Sequence, residues 1–152
     1  MAVSIRPLAS GDQDAVLALN ESVVHKLAPM GSAEYQWFLD HAVHAWAATV
    51  DGEVAGFVLV LEPGLAYASD NYQWFSANYD EFSYLDRVAV SDRFRRQGVG
   101  SAIYDAVEAH AAAAGRPVLL EVNIEPRNDA SLAFHAQRGY RKVGTLDHDG
   151  GA

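Results

Sequence analysis

Two apolar segments, Ala45–Val50 and Val54–Leu61, joined by Asp51-Gly52, leave few folds open to this chain of 152 residues. Asp-Gly between apolar runs is the strongest short-range sign of a two-residue hairpin, because both turn positions want positive φ. The second run has eight residues, which suits a buried strand and falls far short of a bilayer. Half of the residues are apolar and a fifth are charged, as in a soluble protein with one substantial core, so a single domain over 1–152 is expected. Arg6 and Pro7 precede any apolar run that could serve as a secretion signal, and cysteine is absent. The chain is therefore expected to be cytoplasmic, without a disulfide frame, a thiolate metal site or a cysteine nucleophile.

The pattern around the hairpin alternates strands and helices. Val3–Arg6 reads as a strand, and Ser10-Gly11-Asp12 signals a helix carrying Ala15, Leu19, Val23 and Leu27, broken by Pro29 and Gly31. A second helix is expected from Ser32 to about His44. Residues 62–81 read as an irregular, aromatic-rich insertion holding Tyr67, Tyr72, Trp74, Phe75 and Tyr79. It is either a lid over a site or a segment packed on the core. Phe82–Val90 is expected as a strand with Tyr84, Asp86, Val88 and Val90 on one face. A helix follows from Val99 to Gly115, then a strand Val118–Asn123. Asn128 is placed to cap a helix that Gly139 ends, Tyr140–Leu146 reads as a last strand, and 147–152 is a polar tail. This interleaving implies an α/β fold, a mixed sheet flanked by helices in an α-β-α sandwich.

Charge narrows the partners. The formal net charge is −9, and residues 1–76 set only Arg6 and Lys26 against nine acids. Such a chain is a poor general binder of nucleic acid, whose affinity comes from neutralised phosphates. Arg93, Arg95 and Arg96 nonetheless cluster just before Gln97-Gly98-Val99-Gly100, where a strand gives way to a helix. The free amides of a helix N-terminus, glycines that let a ligand approach, and flanking arginines are together suited to a phosphate or pyrophosphate. An ordinary solvated turn is the alternative. The stretch lacks the Lys-Ser/Thr of a Walker loop, and Ile103 stands where a dinucleotide fingerprint has its third glycine.

Arg95 to Gly100, taken with Asn128-Asp-Ala-Ser131-Leu-Ala-Phe134-His135-Ala-Gln-Arg-Gly139-Tyr140, resembles the acyl-CoA-dependent N-acetyltransferases of the GNAT superfamily. The first stretch matches the family's Arg/Gln-x-x-Gly-x-Gly/Ala loop and the second its Asn-x-x-Ala/Ser…Gly-Phe/Tyr segment. The order of elements from Val3 to Leu146 follows the family as well, and the details look like a bacterial subgroup of it. The resemblance implies a splayed sheet with acetyl-CoA between the strands Phe82–Val90 and Val118–Asn123. It assigns the pyrophosphate to Arg95, Arg96, Gln97, Gly98, Val99, Gly100 and Ser101, and the pantetheine arm to the backbone of Val88 and Val90 and to Asn128.

The chemistry implied is direct attack of an amine on the thioester, and the acidic front half of the chain, which attracts cations, points to a small amine or a basic peptide N-terminus as the acceptor. The family's usual thiolate acid is a Tyr seven residues after the Asn, and here that position is His135. An imidazolium can protonate a thiolate, or the ring can simply pack against the cofactor. For the base, Glu121 resembles a Glu of some ribosomal-protein acetyltransferases, and Asp86 is the other candidate. Either carboxylate could instead be a structural ion pair. Tyr84, on the face of Asp86, and Trp74, in the aromatic insertion, are expected to line the acceptor pocket. His41 and His44 are three apart on a helix but find no third ligand, so no metal is expected, and no membrane or nucleic-acid partner. The family usually adds a strand after Tyr140–Leu146, and an edge left open there favours a homodimer. Loss of the chemistry would leave a non-catalytic acyl-CoA-binding or sensing module.

Overall fold

The structure, a computed structural model, describes residues 3–22, 29–94, 97–121 and 129–144. Its sheet, among those residues, runs β1 (Val3–Pro7), β2 (His44–Val50), β3 (Glu53–Leu61), β4 (Ser83–Val90) and β5 (Val118–Leu119) in chain order. The first four are antiparallel neighbours, and β5 lies parallel to β4. The hairpin forms as its turn requires: Asp51 and Gly52 have φ of 51° and 82°, and Val50 faces Glu53.

β3 explains the long apolar run. Phe57, Leu59 and Leu61 point into one core layer and Val58 and Val60 into another, all fully buried. A strand covered on both faces has no use for polar alternation. Each such side chain contributes about 1.5–3 kcal/mol of burial. The first layer is completed by α1 (Gln13–Ser22), α2 (Ser32–His41) and α3 (Asp70–Asn78), through Val16, Tyr35, Phe38, Tyr72 and Phe75. The second is completed by α4 (Val99–Ala113), through Val99, Ile103, Tyr104 and Val107, and by Phe134 of α5 (Asp129–Gln137). Gly56 sets how closely α4 sits. A Cβ there would stand 2.7 Å from the Ala89 carbonyl oxygen and 3.3 Å from Val99 Cγ1.

Several expectations are corrected. The second helix stops at His41, because Ala42 turns extended (ψ 139°) and the Val43 amide donates to Val60 O at 2.9 Å, starting the sheet. Residues 62–81 contain α3, begun by the Ser69 hydroxyl accepting from the Tyr72 amide at 3.2 Å. The Tyr72 hydroxyl donates to Glu62 O at 2.7 Å and accepts from the Leu65 amide at 2.9 Å, so the segment is tied onto the core. β5 is shorter than expected: Leu120 and Glu121 leave the ladder, and Ile124 and its neighbours over 122–128 lie outside the described residues. Tyr140–Gly144 is not a strand. Gly144 packs against Trp74 of α3, where a Cβ would meet the indole at 2.8 Å. The remainder of that segment and the 147–152 tail lie outside the described residues. No described helix is long and apolar enough to cross a membrane.

Candidate active site

Two features meet along β4. One is the divergence of β4 and β5, which among the described residues pair at Ser83↔Val118 and Tyr84↔Leu119 while β4 continues to Val90. The other is the N-terminus of α4. Its first helical bond runs from the Ala102 amide to Gly98 O at 2.9 Å, leaving the amides of Val99, Gly100 and Ser101 without helical partners. Every other described helix or 3₁₀ turn has an Asp or Glu in its first turn. α4 has none, and no side-chain cap. Gly98 enters the helix at φ 78°, with open space where a Cβ would point. The Gln97 Oε1 atom is buried without a hydrogen-bond partner. An uncapped, acid-free helix start with an orphaned polar oxygen beside it fits an anionic, amide-bearing ligand such as acetyl-CoA. Val88 and Val90 flank this end, half-buried against the α4 layer. Arg95, Arg96 and Asn128 lie outside the described residues.

Asp86 sits at a break in β4. Leu59 pairs with Arg87 while the next residue, Val60, pairs with Leu85, so Asp86 is the extra residue of a β-bulge. The bulge corrects the expected face. Tyr84 and Asp86 stay with the first core layer, whereas Val88 and Val90 turn to the second. The Asp86 side chain is 7% exposed. The Tyr67 hydroxyl lies 3.1 and 3.0 Å from its two oxygens, and Arg87 Nε is 3.5 Å from Oδ2. Burial raises the carboxyl from 3.8 to about 6, against the pull of Arg87 and of the Tyr67 bond, with Glu121 adding to the rise. Tyr67 and Tyr84 are pushed up, first by burial and then by the charge of Asp86, so both remain protonated. Glu121, just past β5, is exposed, yet its charge reaches Tyr84 and Asp86.

Beside Asp86 opens a cavity of about 350 Å³. Trp37, Phe38 and Tyr67 wall it together with Ala33 and Ala66, and Glu34 and Arg87 bring its charges. The Trp37 ring lies parallel to Tyr67 at 5.1 Å and to His41 at 4.7 Å. Trp37, Phe38, Tyr67 and Glu34 were not among the expected site residues. Trp37 and Phe38 carry an apolar-helix pattern in the sequence, and only the fold sets them against the 66–67 segment. Trp74 does not line this cavity and packs against Phe75 and Gly144.

His135 is engaged at both nitrogens. Nδ1 donates to Ser131 O at 2.7 Å, and Nε2 shares a 2.7 Å hydrogen bond with the Tyr104 hydroxyl of α4. Next to this pair Arg138 grips Glu108 through Nε (3.0 Å) and Nη2 (2.9 Å), and the Tyr140 hydroxyl donates to Glu108 at 3.0 Å. These contacts dock α5 on α4. His41 and His44 go separate ways, one stacked on Trp37 and the other on Trp46. Among the described residues no three His, Asp or Glu side chains are grouped to hold a metal.

The fold is shared with solved acetyltransferase structures. Ribosomal-protein-alanine N-acetyltransferase from Brucella melitensis biovar Abortus 2308 superposes with a TM-score of 0.71 at 20% identity, covering 98% of this chain and 100% of that one. The aminoglycoside antibiotic 6'-N-acetyltransferase AAC(6')-IG from Acinetobacter haemolyticus gives 0.70 at 14% identity, covering 95% of each chain. AAC(6')-Iy in complex with the bisubstrate analog CoA-S-monomethyl-acetylneamine gives 0.72 at 16%, covering 97% of each. At such identities the likeness establishes the fold. No curated protein matches the sequence. The sequence model of the acetyltransferase (GNAT) family does match, over residues 15–140, which takes in the β4 bulge, the α4 N-terminus and α5 alike. The chain belongs to the GNAT acetyltransferase family.

Proposed function

We propose that this protein moves an acetyl group from acetyl-CoA to a primary amine, by direct attack within a ternary complex. The observation that carries the reading is Asp86, a buried carboxylate raised to about 6 at the bulge of β4, next to Arg87 and hydrogen-bonded to Tyr67, two residues that line a cavity large enough for a small amine. A base with that pKa is charged at neutral pH and still takes a proton readily. Family membership and the uncapped start of α4 support acetyl-CoA as the donor. Gln97, Gly98, Val99, Gly100 and Ser101 would hold it, with Arg95, Arg96 and Asn128 completing the cradle and the backbone of Val88 and Val90 aligning its arm. Acetyl-CoA supplies the activated acetyl thioester.

The roles of the chain's own groups follow from their places. Asp86 takes the proton from the incoming ammonium. Tyr67 fixes the Asp86 carboxylate, and Glu121 sets its basicity through charge. Tyr84, whose ionisation burial and the Asp86 charge oppose, stays a protonated donor. The departing thiolate's proton is assigned to the His135–Tyr104 pair, where a proton given up at one atom is replaced across the 2.7 Å bond. Loss of kcat in Tyr104→Phe, with acetyl-CoA affinity kept, is the result expected; a loss of stability alone would make the pair a clamp between α4 and α5.

The test is acetyl-CoA-dependent release of the CoA thiol with a panel of amines, alongside calorimetric titration with acetyl-CoA. Turnover with any amine is expected. Tight acetyl-CoA binding without turnover would instead identify a non-catalytic acyl-CoA-binding module, and the absence of binding would remove the reading altogether.

A further inference from the structure

Asp86 is not itself a wall of the cavity, so a proton leaving an amine there needs a carrier to reach it. Two of the residues that line the cavity, Tyr67 and Arg87, also contact the Asp86 carboxylate. A guanidinium carries donors alone and has no lone pair to receive a proton, whereas a hydroxyl donates once and accepts twice. Tyr67 spends its proton on Asp86, whose oxygens lie 3.1 and 3.0 Å away. A hydrogen bond from Arg87 takes at most one of the two acceptor positions on the hydroxyl oxygen, leaving the other for an ammonium. Glu34, the remaining acid of the lining, is exposed and accepts from the Gly31 amide at 3.0 Å, with no bond to Asp86 among the described residues. The packing keeps the Tyr67 hydroxyl where it is. Its ring lies parallel to Trp37 at 5.1 Å, and Phe38 and Tyr72 stand edge-on at 6.0 and 5.6 Å. Its amide donates to Leu65 O at 3.1 Å, in the stretch that the Tyr72 hydroxyl ties down. A ring held on these sides leaves Asp86 only by repacking its neighbours.

We infer that Tyr67 is a catalytic residue, the carrier that passes the acceptor's proton from the cavity to Asp86. This rests on the acetyl-transfer reading for its chemistry. The ammonium gives a proton to the Tyr67 oxygen as the proton already on that oxygen moves to the Asp86 carboxylate. Tyr67 is a neutral phenol before and after. The two transfers go together, because burial and the Asp86 charge oppose a tyrosinate standing by itself, while Arg87 eases the charge that passes through the oxygen. The neutral amine nitrogen then bonds to the acetyl carbon as the carbon–sulfur bond breaks, and its second proton ends on the sulfur. The products are the amide, the CoA thiol and one proton, which Asp86 returns through Tyr67 to water.

The experiment uses the full chain with acetyl-CoA and two amines of similar size, ethylamine and trifluoroethylamine, following release of the CoA thiol. Ethylamine is an ammonium at neutral pH. The fluorines leave the other amine mostly neutral, with no proton to hand over before attack. Above the acidic limb, Tyr67→Phe is expected to lower kcat with ethylamine about 10²-fold or more, while sparing the rate with trifluoroethylamine and the affinity for acetyl-CoA. Direct transfer to Asp86 predicts otherwise, because loss of the Tyr67 bond makes the carboxylate more basic. A plateau kept or raised with ethylamine would therefore overturn the relay and leave acetyl transfer standing. An equal loss with both amines would make Tyr67 a wall of the cavity alone and overturn the relay too. The parent supplies a second reading that needs no variant to fold. In mixtures of light and heavy water its kcat/KM is expected to bow below a straight line more strongly with ethylamine than with trifluoroethylamine, since two protons move together in the relay. Equal curvature for the two would overturn it. Release of CoA with neither of these amines nor any other of the panel would overturn the acetyl-transfer reading itself.

Discussion

Asp86 is held in the form that suits its proposed task at a cost to the fold. Its carboxyl is raised to about 6 from 3.8, mainly by burial, so the folded state binds protons more strongly than the unfolded chain between those values. Stability attributable to this group therefore falls as pH rises through that window, and the full penalty, about 3 kcal/mol, applies above it. Asp86→Asn is expected to match the parent in urea unfolding near about pH 4 and to be the more stable near about pH 7.5. A variant less stable at the higher pH would mean that the contacts with Tyr67 and Arg87 outweigh the burial. The neighbours tune the same group in opposite directions. Glu121 raises the Asp86 pKa, and Arg87 and the Tyr67 bond lower it. Glu121→Gln should shift the acidic limb of kcat/KM to lower pH, and Tyr67→Phe should shift it to higher pH. Limbs that stay in place would separate Asp86 from the reaction.

Among the elements, α4 is the one whose placement both core and site depend on. Gly56→Val would drive a side chain into the Ala89 carbonyl and the Val99 and Ile103 side chains. The expected cost is about 1–3 kcal/mol, read by urea unfolding, with weaker acetyl-CoA binding because the start of α4 is displaced. Gly98→Ala meets no atom, but it carries a left-handed φ of 78°, so about 1–2 kcal/mol is expected with the fold retained. How much of this was legible in the sequence depended on whether a signal was local. The Asp51-Gly52 turn, the two-sided burial of Val54–Leu61 and the glycine-marked start of α4 each depend on adjacent residues, and each forms as expected. The bulge at Asp86 depends on how β4 registers against β3, and an alternation rule applied to β4 alone carries straight through it. α3 was hidden because Tyr72, Trp74 and Phe75 are poor helix formers, and packing of Tyr72 and Phe75 in the core overrides that preference. Tyr140–Gly144 has strand-like composition but joins no ladder among the described residues, and its Gly144 lies against Trp74.

At the scale of the whole molecule, the sheet brings a helix start read from consecutive residues to the same strand as a cavity assembled from distant ones. The α4 side was legible because its glycines and arginines are contiguous. The cavity was not, since Trp37 of α2 and Tyr67 of the segment before α3 become neighbours only when both pack on the first face of the sheet. Ligand linkage tests this two-sided arrangement. Acetyl-CoA at about 100 times its dissociation constant should stabilise the fold by about 2.7 kcal/mol. For a chain of this size that is a rise in Tm of several degrees, diminished in Gly98→Ala and kept in Trp37→Ala. Equal loss in both variants would contradict separate donor and acceptor sites. The most direct test of the central claim is the pH dependence of kcat/KM for acetyl-CoA-dependent amine acetylation, in the parent and in Asp86→Asn. The account expects a rise with a midpoint near pH 6 in the parent. In the variant the rise should be absent and turnover reduced about 10²–10⁴-fold, with acetyl-CoA still bound. A variant that keeps both the rate and the limb of the parent would contradict it.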